Sequence, residues 1–295
     1  MNILTFDIEE WFLEKELHGD RQERYREFDG YLSRILDLLD ERDIQATFFC
    51  VGQMGVHFPH VIRRIAERGH EIGCHSDQHT WLNKMSREDA EKDTRTAIDA
   101  LQQCIGKKVQ SYRAPAFSIG GTNTWTFEVL AANGIECDAS VYPARRDFGG
   151  FADFGYKSPV MIQAGDVKLK EFPICTTRIL GHEMAFSGGG YFRFFPLWFV
   201  RNRMNTSDYN MCYFHIGDLI PESNHLQTRE EYEAYFKEKG TWFNRYKRYF
   251  KSNAGKKHAF GKMEQLILKM PFMSIEKANR EINWKEAPIV DLNLG

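Results

Sequence analysis

Apolar strand-like runs and helix-like segments alternate along most of this 295-residue chain, and no other feature restricts its fold as much. MNILTFDIE reads as a strand, with Ile3, Leu4, Phe6 and Ile8 as buried positions. FDGYLSRILDLLDERD follows, with Tyr31, Ile35, Leu38 and Leu39 on one helical face. QATFFCVG is a short apolar strand, HVIRRIAERG a helix stopped at Gly69, and HEIGCH a strand. SREDAEKDTRTAIDALQQCIG is a long helix with Ser86 as N-cap and acids in its first turns. VQSYRAP, NTWTFEVLAANGI, ECDAS, VKLKEFPI, PLWFVRNRMN and YNMCYFHIGDL continue as strand, helix, strand, strand, helix and strand. Such alternation predicts a mainly parallel sheet covered by helices. At least six strands over about 220 residues favour a barrel over an open sheet. No GxGxxG follows the first strand, as a dinucleotide-binding sheet requires. Residues 1–220 are expected to form the barrel, and residues 221–295 a C-terminal helical extension packed on it.

Bulk properties exclude some classes. The chain is 42% hydrophobic and 27% charged, as an ordinary globular protein is, and its net charge of -2 gives no sign of nucleic-acid binding. The N-terminus has no basic region and acids interrupt its apolar run, so it does not read as a signal peptide. No stretch approaches the ~18 apolar residues of a membrane span. Cys50, Cys74, Cys104, Cys137, Cys175 and Cys212 form no CxxC pair and read as reduced, mostly buried thiols of a cytoplasmic protein. The segment from Arg229 to Met270 reads as one or two helices, rich in aromatics and increasingly basic. It is either a helix packed with a solvated basic face or a patch for an anionic substrate or a membrane surface.

Ionisable residues cluster where strands end. Asp7 and Glu9, His75, Arg113, Asp138 and His215 come from five strands, and strand C-terminal ends form the active face of a barrel. His75 and His79, four apart on a turn, point the same way and suit one divalent metal. Alone, the pair fits one surface and one capping histidine equally well. Asp7 and Glu9, two apart on a strand, share a face. One can ligate a metal and the other act as a base, because two adjacent carboxylates do not both stay ionised without a cation. Glu10, on the opposite face, is expected to be solvated or salt-bridged and to tolerate replacement. A buried Arg113 needs an anionic partner. An Asp138–His215 pair would fix a tautomer and keep an imidazolium as general acid, though His215 alone also fits a satisfied core histidine.

The ordered set TFD, ATFF, HSDQH, RAPAF, DAS and a late strand-borne histidine resembles the polysaccharide deacetylase family, that is, the NodB-homology or carbohydrate esterase family 4 proteins. The likeness covers residues 1–220. FDIEEW, RAPAFSI, SGGGYFR and the aromatic-basic C-terminus look most like members associated with exopolysaccharide and surface glycans. The resemblance implies an α/β fold, a distorted (β/α)7 barrel, and a metal-dependent hydrolase that removes acetyl from an amino sugar. By position, Asp7 matches the base, His75 and His79 the metal ligands, and Arg113 the residue orienting the base. Asp138 matches the tether of the late histidine, and His215 the general acid.

Two positions depart from the pattern. Ile8 stands where most members carry a second aspartate on the metal, leaving Glu9 as the nearest substitute. Ala116 stands where many members have an aromatic, so only its backbone N–H is available for an oxyanion. The implied cofactor is one divalent metal, zinc ahead of cobalt, nickel or manganese. The implied substrate is a nucleotide- or lipid-linked amino-sugar glycan precursor, and the basic C-terminus suits a phosphate on it or a peripheral membrane contact. In SGGGYFRFFP a flexible glycine run would let Tyr191 and Arg193 close over that substrate, unless it is a simple loop. A deformylase or other small-amide hydrolase, and a non-catalytic glycan-binding scaffold, are the rival readings.

Overall fold

The computed structural model describes residues 1–13, 21–146, 149–221, 225–236 and 238–292. Its strands are β1 (Asn2–Ile8), β2 (Thr47–Cys50), β3 (Glu71–Cys74), β4 (Ser111–Tyr112), β5 (Cys137–Asp138), β6 (Val160–Ala164), β7 (Val167–Glu171), β8 (Thr176–Ile179), β9 (His182–Ala185), β10 (Asn210–His215) and β11 (Ile289–Asp291). The first helices are α1 (Glu10–Leu13), α2 (Arg21–Glu41), α3 (Gly52–His57), α4 (Pro59–Glu67), α5 (Arg87–Ile105) and α6 (Thr126–Ala132). The later ones are α7 (Gly189–Phe194), α8 (Leu197–Asn205), α9 (Ile216–Leu219), α10 (Arg229–Phe236), α11 (Trp242–Asn253), α12 (Ala259–Lys269) and α13 (Ile275–Glu281).

One sheet runs in the order β10-β1-β2-β3-β4-β5-β7-β6-β11. The seven strands from β10 to β7 are parallel, and helices cover them. This is why TFFC and NMCYF are continuous apolar runs: strands buried on both faces show no polar alternation. Among the described residues no ladder joins β7 to β10. Side chains cover that seam instead. The Met211 N–H donates to Cys175 Sγ at 2.7 Å, and the Tyr209 hydroxyl donates to the Pro173 carbonyl at 2.8 Å. The barrel is therefore distorted, with its last parallel strand, β10, lying against its first.

Local signals act where expected. The Ser86 hydroxyl accepts from the Asp89 N–H at the start of α5, and Gly106 ends the helix at φ 67 with its N–H on Gln102 O. Strands β6, β8, β9 and β11 were not legible in the sequence. β6 and β7 form a hairpin about Gly165, which lies at φ 56. The aromatic-basic segment forms three helices, α10, α11 and α12, rather than one or two, with Gly255 at φ 76 between the last two. The C-terminal part shares the core: Met263, Leu266, Ile267 and Ile275 are buried with the barrel strands, and Met273 exchanges backbone bonds with Leu4 and Asn2 of β1.

Candidate active site

Adjacent strands set the first relation in the site. Asp7 on β1 lies in register with His215 on β10 and with Phe49 on β2. The Asp7 carboxylate is almost fully buried, and Arg113 at the end of β4 compensates it. The Arg113 Nη1 donates to Asp7 Oδ1 and to Thr5 Oγ1, each at 2.8 Å, and its Nε donates to the Ala139 carbonyl at 3.2 Å. Its guanidinium lies 4.3 Å from the centroid of the Phe49 ring. Arg113 is wholly buried, so the pair is desolvated and fixed rather than a labile surface bridge. Asp7 Oδ2 faces His215 Nε2 at 3.5 Å.

Glu9 follows directly on β1 and reaches both predicted histidines. Its Oε2 lies 3.3 Å from His75 Nε2 and 2.8 Å from His79 Nε2, and all three groups lie within one 4.8 Å cluster. His75 Nδ1 lies 2.7 Å from the Arg113 carbonyl, which fixes Nδ1 as the protonated nitrogen and leaves the Nε2 lone pair aimed at Glu9. Backbone strain places the second imidazole, since His79 and Ser76 hold φ of 59 and 61. Glu9 Oε2 is buried without a well-directed hydrogen bond despite its short separations. An orphaned carboxylate oxygen between two imidazole nitrogens is a donor set that fits a divalent metal. Burial pushes the Glu9 carboxyl up, but His79 and His215 outweigh it and hold it well below the usual range.

His215 pairs with a carboxylate other than the expected one. Asp138 lies on β5, five places along the sheet from β10, and does not tether His215. The partner is Asp218, one turn further along the chain on α9, with Oδ2 3.2 Å from His215 Nδ1. Burial opposes the imidazolium, yet Glu9, Asp218 and Asp7 raise the His215 pKa well above the ordinary value. The i,i+3 spacing in HIGD was the signal available in the sequence.

Asp138 belongs to a network behind Arg113. Its Oδ1 accepts from the Ser140 hydroxyl at 2.6 Å, and Ser140 Oγ accepts from the Ala114 N–H at 2.8 Å. Opposite Asp138 in the sheet stands Glu171, a residue the sequence reading missed. Glu171 Oε1 accepts from the Val141 N–H at 3.0 Å, while Oε2 has no partner if ionised. Burial and the neighbouring Asp138 push the Glu171 carboxyl well up, the direction expected when two facing buried carboxyls share one proton. A raised folded-state pKa means that the folded chain binds more protons. Its contribution is complete below the unfolded value of 4.5 and declines as pH rises towards the folded value. Above the unfolded value thermal stability should therefore fall with rising pH, and Glu171→Gln should make that slope shallower, since the amide can still accept from the Val141 N–H and donate towards Asp138. Glu171→Leu should lose about 1–3 kcal/mol at a pH near the unfolded value. An unchanged slope in Glu171→Gln would rule out the shared proton.

Three further expectations change. Glu10 is half-buried and has no salt bridge among the described residues: its Oε1 accepts from the Gly217 N–H at 2.6 Å and ties α1 to the turn carrying His215. Glu10→Ala is thus expected to lower turnover several-fold with metal content unchanged, checked by kinetics beside elemental analysis. Arg193 cannot close over a substrate. It is buried, donates to the carbonyls of Ser252 and Lys251 at 2.6 and 2.8 Å, and lies 3.4 Å from Asp218. The glycine run provides close packing rather than a flap, because a Cβ at Gly188 would lie 2.2 Å from the Tyr213 ring. Tyr191, in the same short helix, is half-buried against the core. Ala116 and Phe117 hold φ of 55 and 53, and the Gly149 backbone packs against their carbonyls.

A mostly parallel barrel with this cluster at its strand ends has the architecture of the NodB-type carbohydrate esterases. The polysaccharide deacetylase family model matches residues 3–137, and the model of the domain of unknown function DUF3473 matches residues 139–280. A solved structure from Mycobacterium smegmatis, described as a polysaccharide deacetylase, superposes with a TM-score of 0.65 at 18% identity over 100% of this chain and 93% of that one. That likeness is one of fold. The chitooligosaccharide deacetylase of Sinorhizobium fredii is 34% identical over 104 residues, covering 35% of this chain and 46% of that protein. A peptidoglycan-N-acetylglucosamine deacetylase of Bacillus cereus is 31% identical over 85 residues, 29% of this chain and 31% of that protein. The match thus spans less than half the length of these curated relatives.

Proposed function

We propose that this chain is a metal-dependent N-deacetylase acting on an acetylated amino sugar in a surface-glycan precursor. The observation that carries this reading is the orphaned Glu9 oxygen between His75 and His79, set beside an Asp7 that Arg113 holds and His215 faces. Glu9, His75 and His79 would hold the metal, zinc before cobalt, nickel or manganese. When bound, it supplies a Lewis acid and lowers the pKa of water.

The chain's own residues do the rest. Arg113 holds Asp7 Oδ1 and leaves Oδ2 turned into the site, where it takes a proton from the attacking water. The left-handed turn at Ala116 offers its N–H to the oxyanion that develops on the acetyl oxygen. His215, kept protonated beside Asp218, gives its proton to the departing sugar nitrogen as the C–N bond breaks. Acetate and the free amine result, with one water consumed. The basic C-terminal region favours a substrate carried on phosphate. The test is acetate release from free, nucleotide-linked and lipid-linked N-acetylated amino sugars. Release of formate from N-formyl sugars, with no acetate from any donor, would replace this reading with the deformylase one.

A further inference from the structure

Helix α11 has no buried residue, although five of its twelve residues are aromatic. Trp242, Phe243, Tyr246 and Phe250 fall within about 100° of arc and are all exposed, Phe243 by 68%. Lys247 and Lys251 border the same exposed arc. The opposite side packs on the protein: Arg245 donates to the Gln227 carbonyl at 3.1 Å, and the Arg248 guanidinium lies 4.4 Å from the Phe236 ring centroid. Two more exposed aromatics extend the patch. Phe194 of α7 lies 6.4 Å from Phe250 between ring centroids, and Trp198 of α8, close by in the chain, is 70% exposed.

An arc of aromatics bordered by lysines is the composition of a helix lying in a lipid headgroup layer. On the side of its exposed arc α11 carries Lys247 and Lys251, and the helix has no acidic residue, so this face complements an anionic surface. A glycan platform fits less well: Trp242 and Tyr246 stack at 5.1 Å with planes 10° apart, each covering a ring face that a sugar would need. The arc also adjoins the site. Arg193 binds the α11 carbonyls of Lys251 and Ser252 on one side and Asp218, the partner of His215, on the other.

We propose that the exposed face of α11, with Phe194 and Trp198, docks on an anionic lipid bilayer and so presents the site to an amino sugar carried on a membrane lipid. The choice of substrate rests on the deacetylase reading; the docking does not. The experiment is flotation of the full chain with vesicles of phosphatidylcholine alone and of equimolar phosphatidylcholine and phosphatidylglycerol. The chain should float with the anionic vesicles and not with the neutral ones, and added salt should weaken the binding. Lys247→Glu should reduce binding about fivefold for each unit of charge changed. Trp242→Ser with Phe243→Ser should abolish it. Both variants should release acetate from a soluble N-acetylated oligomer at the wild-type rate, which also shows that they fold. Wild-type chain that stays unbound, variants that float as well as wild type, or an aromatic variant that instead loses the soluble oligomer would each overturn the docking. Vesicle binding without acetate release from any donor would refute the deacetylase reading and leave the docking standing.

Discussion

Glu9→Ala is expected to empty the metal site and take acetate release down to background. His75 and His79 would remain as two neutral donors, fewer than the three protein ligands of a usual catalytic metal site. Elemental analysis of purified chain should fall from one metal per chain to nearly none. The neighbouring position cannot substitute. Ile8 is wholly buried in the apolar core, and its carbonyl is bound to the Val51 N–H. Adding Ile8→Asp to Glu9→Ala should therefore restore no metal and should destabilise the fold, because it buries an unpaired carboxylate. Metal retained at full stoichiometry in Glu9→Ala would remove Glu9 from the site.

Asp7→Asn should keep the metal and lose turnover by about 10²–10⁴-fold, the usual contribution of a positioned general base. The amide still accepts a hydrogen bond from Arg113 but no longer neutralises it. Arg113 has no solvent exposure, so removing its counter-charge should also cost about 3 kcal/mol or more of stability. The signature is therefore threefold: full metal content, a lowered melting temperature, and kcat reduced far more than KM is raised. Asp7→Asn with a kcat near wild type would exclude Asp7 as the base. Loss of metal in that variant would instead make Asp7 a ligand.

What the sequence revealed of the site depended on the range of the signal. The two-residue period of a strand placed Glu9 beside Asp7, and the structure puts that carboxylate within 3.3 Å of both imidazoles. The alternation of apolar runs likewise showed the parallel sheet. Asp138 fails as the partner of His215 because sequence order does not tell which carboxylate crosses the barrel. The nearer candidate was Asp218, three residues on. Glu10 was misplaced because a helix starts at that residue and ends the strand period. SGGGYFR read as flexible because glycine permits motion, while here it permits Tyr213 to approach the backbone. Glu171 had no local signature, since its importance comes from facing Asp138 across a sheet.

The pairing of β1 with β10 also governs the order in which this protein can be made. Asp7 leaves the ribosome some two hundred residues ahead of its strand partner His215. Until that partner emerges, the outer edge of β1, with Asn2 to Asp7 awaiting Asn210 to His215, has no neighbour in the sheet. Contacts of such sequence separation close slowly, so the β1–β10 ladder forms late in folding. A nascent chain that ends before Asn210 would hold the proposed base and metal ligands but no acid. It would also present an open apolar strand edge, and such edges recruit other chains.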